Sequence, residues 1–180
     1  MTTVTLDITS GTWMSSIAAY PSNTIDHKFI NDYQIAGNTK VFTLTDGLYS
    51  KRDLTDGKFK DSDFAVVSGE VIILKRDEVR AIDHAVGAFL SSLDACERDM
   101  PEERYDAFLA KDVGDLLAYI EASDAGAKLR KNKTKSSRTF EELRLLTLKL
   151  ALHHAKVRTC DKLHRSTAKI LQREIEALEA

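Results

Sequence analysis

The sequence predicts an α+β chain. An antiparallel β-meander lobe covers residues 1–76, and a helical region follows, ending in one long amphipathic helix of about 40 residues. Three observations carry this. Short β-rich runs punctuated by glycine turns fill the first 76 residues, apolar residues then recur at three- and four-residue steps, and residues 139–180 contain neither Gly nor Pro.

In the β-rich part, residues 3–8 alternate, with Val4, Leu6 and Ile8 on one face. Residues 40–45 are rich in strand formers and run into Asp46-Gly47, the signature of a type I′ turn, then Leu48-Tyr49. Asp56-Gly57 repeats that signature before Lys58-Phe59-Lys60. Ser68-Gly69 separates two further runs, residues 64–67 and 70–74, as a third hairpin. Eight of the 13 aromatics lie here: Trp13, Tyr20, Phe29, Tyr33, Phe42, Tyr49, Phe59 and Phe64. A small meander that uses these rings as core is more economical than an exposed stacking surface. Residues 12–20 read as a short helix, within the least regular stretch, 10–38.

The periodicity changes near Asp77. Val79, Ile82, Val86, Phe89, Leu90, Leu93 and Cys96 mark an amphipathic helix over 78–98. Pro101 followed by Glu102 and Glu103 reads as a new helix start, with acids at the positive end of the dipole. Tyr105, Phe108 and Leu109 form its apolar face, Asp112 with Asp115 resembles a cap, and Leu116, Leu117 and Ile120 continue the stripe. Ser123-Asp-Ala-Gly126 closes this segment, and residues 127–138 read as a polar, basic linker.

Thr139 with Glu142 forms a capping box. The seam beyond it is Leu143, Leu146, Leu150, His153, Val157, Cys160, His164, Ala168, Leu171, Ile175 and Leu178. Its steps of three and four residues form a heptad pattern with one stutter after His164. A helix of about 40 residues would reach ~60 Å and needs a partner for this stripe, from the 77–122 helices or from a second copy across the 143–178 seam.

Charge is sorted along the chain although the net is only −2. Residues 77–127 hold 13 acids against 4 bases, and residues 128–173 hold 14 bases against 3 acids. A basic block is the footprint of a polyanion, and the adjoining acidic block offers it an internal partner. The partner-binding candidates are Lys128, Arg130, Lys131, Lys133, Lys135 and Arg138 in the linker, and Arg158, Lys162, Arg165, Lys169 and Arg173 along one helix face. The excess charge expected to remain for a partner is the linker and the exposed part of that face.

Several classes are excluded. The sequence has no phosphate loop, dinucleotide fingerprint or nucleophile elbow, so no cofactor is expected. No apolar run reaches the length of a membrane span. The N-terminus MTTVTLDITSGTW lacks the basic and apolar regions of a signal peptide, and the two cysteines form no disulfide framework, so a cytoplasmic location is expected.

Two weaker constellations involve the same turn of chain. Cys160 and His164 at a four-residue spacing could share a zinc ion if other segments supplied ligands; a buried thiol beside a polar seam residue is the simpler reading. The string Arg158-Thr-Cys-Asp-Lys-Leu-His164 resembles the Arg–His pattern of HEPN-type ribonucleases over seven residues. That resemblance implies that Arg158 would steady a phosphate and His164 would transfer a proton at a dimer cleft. The β-rich half of the chain departs from that all-helical family.

These features point to a non-catalytic interaction or regulatory protein. Its charged helical faces bind a protein partner, for instance as modulator or inhibitor of a nucleic-acid-handling complex. The alternatives are direct DNA or RNA binding through the basic 128–173 face, and a HEPN-like ribonuclease.

Overall fold

A computed structural model describes residues 2–7, 13–19, 34–36, 39–50, 63–131 and 138–180, with side chains described for 44–49, 63–131 and 138–180. The chain divides into two compact units, Met1–Lys75 and Arg76–Ala180, the first built on antiparallel strands and the second on helices.

The first unit contains two antiparallel sheets rather than one meander. β1 (Thr2–Asp7), β2 (Trp13–Ala19), β3 (Gln34–Ala36) and β4 (Thr39–Leu44) form a sheet in the order β2-β1-β4-β3. The central β1–β4 pairing runs from Thr2↔Leu44 to Asp7↔Thr39, and the β1–β2 register shifts between Thr3 and Thr5. The helix expected over 12–20 is therefore strand β2. Its Trp13 and Ile17 favour an extended chain, and pairing with β1 overrides the weak helical pattern.

β5 (Gly47–Ser50), β6 (Asp63–Val67) and β7 (Glu70–Leu74) form the second sheet, in that order. Asp46-Gly47 does not close a hairpin as expected, because the strands on either side of it enter different sheets. The Asp46 carboxylate instead accepts the Ser68 amide at 3.1 Å, tying this corner to the β6–β7 turn. That turn is the expected Ser68-Gly69 hairpin, with both residues in the left-handed region (φ 51° and 86°), as a type I′ turn requires. β6 is the middle strand, and Phe64, Ala65, Val66 and Val67 are all buried, so both of its faces are covered. Half-buried Tyr49 stacks on Phe64 from the neighbouring strand, centroids 5.6 Å apart, and Phe64 is core. The Asp56-Gly57 turn lies outside the described residues.

The second unit contains α1 (Arg76–Asp99), a 3-10 turn (Glu102–Arg104), α2 (Tyr105–Ala122), α3 (Asp124–Arg130), α4 (Phe140–Arg158) and α5 (Asp161–Glu179). α1–α2 and α4–α5 are two helical hairpins. They pack side by side, α1 on α4 and α2 on α5, with α3 between α2 and α4 in sequence. Ion pairs orient the hairpins. Glu78 meets Arg138 at the starts of α1 and α4, and Asp94 meets Arg158 toward their ends, so these two helices run parallel. The core between them includes Ile82, Leu93, Leu109, Ile120, Leu143, Leu150, Leu163 and Leu171, each at most 1% exposed.

Local chemistry explains the starts of α3 and α4. Thr139 and Glu142 make the expected capping box: the Thr139 hydroxyl accepts the Glu142 amide, and the Glu142 carboxylate accepts the Thr139 amide. Ser123, read from sequence as part of a terminator, instead caps α3 by accepting the Gly126 amide. α3 thus occupies the front of what reads as a linker. Asp112 caps nothing; it lies inside α2 and is buried.

The single long helix over 139–178 is not formed. It breaks at Thr159 and Cys160, both extended, into α4 and α5 of 19 residues each. The amide of Cys160 donates to the Glu97 carboxylate of α1 at 3.0 Å, and the Thr159 hydroxyl donates back to the Ala155 carbonyl. A continuous seam would place its middle, His153, Val157, Cys160 and His164, against a partner. With the fold-back, Val157 is 75% exposed while Leu143, Leu146, Leu150, Leu171 and Ile175 are buried. Folding back lets the chain cover its own stripe, so those side chains are already occupied within one molecule.

Candidate partner-binding face

The basic block meets the acidic block inside the helical unit. Lys128 of α3 pairs with Asp77 at 3.1 Å, and Arg138, just before α4, pairs with Glu78 beside it. Arg130 reaches the Glu121 carboxylate at 3.4 Å and the Glu121 carbonyl at 3.0 Å, with its guanidinium 5.8 Å from the Phe140 ring. At the other end of the bundle, Arg158 pairs with Asp94 at 3.0 Å and Lys162 with Glu102 at 3.1 Å; Lys169 pairs with Asp106 at 3.0 Å. All six acids come from the acidic segment, five from α1, α2 and their connection's 3-10 turn without any from α4 or α5, plus Glu121 near the end of α2.

The pairs differ in depth. Arg138 and Glu78 are 13% and 3% exposed at the side chain, so this pair has left water and geometry must repay the desolvation. The Arg158, Lys162 and Lys169 pairs are about half exposed, where such contacts individually add little. Lys169, by its hydrogen bond and its charge, holds the Asp106 carboxyl below its ordinary range.

Of the predicted binding residues, Lys131, Arg165 and Arg173 are exposed and have no ion-pair partner among the described residues; Arg165 only leans on the Asp161 carbonyl at 3.4 Å. Lys133 and Lys135 lie outside the described residues. Lys156, not singled out from sequence, is likewise exposed near the end of α4. Arg158 and the other four cations of the expected stripe do not share one helix, since the break leaves Arg158 on α4 and the rest on α5.

The Arg158–His164 string spans this break. Arg158 is engaged with Asp94, and the His164 Nδ1 is buried without a hydrogen-bond partner. Cys160 sits exposed at the start of α5, while Cys96 is buried in α1, and burial pushes its thiol pKa up. No three His, Cys, Asp or Glu side chains among the described residues converge as a metal site would require. Sequence reasoning missed Asp112 as a buried group, because an acid between Lys111 and Val113 carries no mark of burial without its α1 neighbour.

Comparison with models of known protein families, with curated proteins and with solved structures finds no match to this chain.

Proposed function

We propose that the protein is a non-catalytic interaction module that binds a protein partner through charged surface of its helical unit. The observation that supports this best is the fate of the basic block. Lys128, Arg130, Arg138, Arg158, Lys162 and Lys169 are engaged by acids of their own chain, which removes most of a continuous track for a phosphate backbone. Among the described residues, the exposed cations Lys131, Lys156, Arg165 and Arg173 have no ion-pair partner and suit carboxylates on a protein surface.

Immobilised full-length chain incubated with cell lysate, with and without nuclease, tests the reading. A protein retained after nuclease, and released when Arg165 and Arg173 are both changed to Glu, is the expected result. Circular dichroism of that variant checks that its helices are intact. Capture that disappears with nuclease would overturn the reading in favour of direct nucleic-acid binding, since half-exposed pairs such as Lys162–Glu102 can exchange a carboxylate for a phosphate.

A further inference from the structure

Asp112 is an acid where the packing favours an apolar side chain. It lies in the interior of α2 beside the buried Leu109, Val113 and Leu116, with 9% of its own surface exposed. One carboxyl oxygen, Oδ2, is buried with no hydrogen-bond partner. Ser92 of α1 donates to the carboxyl, and the Cys96 thiol lies near it on the same helix. On its own helix the charged neighbours are Asp115 and Lys111, and these two pair with each other at 3.6 Å in solvent. The cations of α5 do not serve it. Lys162 and Lys169 pair with Glu102 and Asp106, and Arg173 acts on Asp106, which projects about 120° around α2 from Asp112.

We propose that Asp112 makes the α1–α2 hairpin a proton-sensitive latch, tight when its carboxyl is protonated and loosened when it ionises. A neutral carboxyl costs little in this seam, because Ser92 and Cys96 are uncharged and the surrounding residues are apolar. An anion there has an unpartnered oxygen, no ion-pair partner among the described residues and a like charge one turn away. Burial, chiefly, pushes the carboxyl up to about 6, and Asp115 adds to this, while the Ser92 hydrogen bond and Lys111 pull the other way. The direction of the linkage follows. The folded-state value lies above the ordinary value of 3.8, so the stabilisation is complete below 3.8 and is lost as pH rises through about 6. The hairpin is therefore tighter in mildly acidic solution than at neutral pH.

Urea unfolding of the full chain at fixed ionic strength, at pH 5 and pH 8, tests this on wild type and Asp112→Asn. The wild-type folded-to-unfolded ratio, taken relative to the variant's, should be about tenfold higher at pH 5 than at pH 8. The comparison cancels every titration that the two proteins share. In parallel, the carboxyl carbon of wild-type Asp112, followed by NMR, should titrate with a midpoint near 6. This second measurement stands even if Asp112→Asn fails to fold. A carboxyl midpoint in the ordinary aspartate range, or a ratio between the two proteins that does not change with pH, would overturn the proposal.

Discussion

Glu78→Gln should destabilise the helical unit by about 3–5 kcal/mol, the cost expected when one member of a buried ion pair is removed and the other is left charged. Glu78 is 2% exposed, and its partner Arg138 is 13% exposed at the side chain. With Gln in place, the guanidinium keeps its largely desolvated position and loses the Glu78 charge. Arg138→Met should also destabilise, because it removes the cation that meets this buried carboxylate. The double variant Glu78→Leu/Arg138→Met should recover most of the loss, since replacing a whole buried pair by apolar side chains is often neutral or stabilising. Urea denaturation of wild type, Glu78→Leu, Arg138→Met and the double variant gives the coupling energy. The loss is large against the roughly 5–15 kcal/mol by which domains are stable. The pair also joins the start of α1 to the start of α4, so it contributes to the register of one hairpin on the other.

The second large effect is expected at Gly126. A Cβ built there would lie 2.0 Å from the Ile120 carbonyl oxygen and 3.0 Å from its carbon, both backbone atoms at the end of α2. The neighbourhood is already tight, because the Ser123 hydroxyl donates to that same carbonyl at 2.6 Å while accepting the Gly126 amide. Gly126→Ala must push α3 off the last turn of α2, and a loss of about 3 kcal/mol is expected. Gly87 and Gly114 provide the contrast. Nothing lies within 4 Å of a Cβ at either position, and both are inside helices. Gly114→Ala should therefore stabilise by about 0.5–1 kcal/mol through helix propensity alone. Thermal melts of the two variants should move in opposite directions.

Where the signal was local, sequence reasoning matched the structure. The capping box at Thr139 and Glu142, the Ser68-Gly69 turn, and the stripe from Ile82 to Cys96 each depend on neighbours within a few residues. The discrepancies arose where a distant group decided the outcome. Nothing between Arg158 and Asp161 breaks a helix as Gly or Pro would; the break is supported by Glu97, 63 residues earlier in the chain, which takes the Cys160 amide. Asp46-Gly47 has the composition of a hairpin turn, but its flanking strands find partners in separate sheets. Ser123 reads as part of a terminator because Gly126 follows it, and Gly is the usual residue just past a helix end, whereas here Gly126 lies inside α3. For the candidate face, the block charges were legible and their pairing was a natural expectation. Which cations remain unpaired was not, because that depends on the parallel packing of the two hairpins.

We propose that the ion pairs of Lys128, Arg130, Arg138, Arg158, Lys162 and Lys169 with the chain's own acids leave no continuous track for nucleic acid. A gel-shift titration with a generic duplex and a single strand, using micromolar full-length protein at ~50 mM salt, tests it most directly. No shift with either probe is expected. A shift that weakens steeply with added salt, and that is lost when Lys162, Arg165 and Lys169 are changed to Glu, would contradict it.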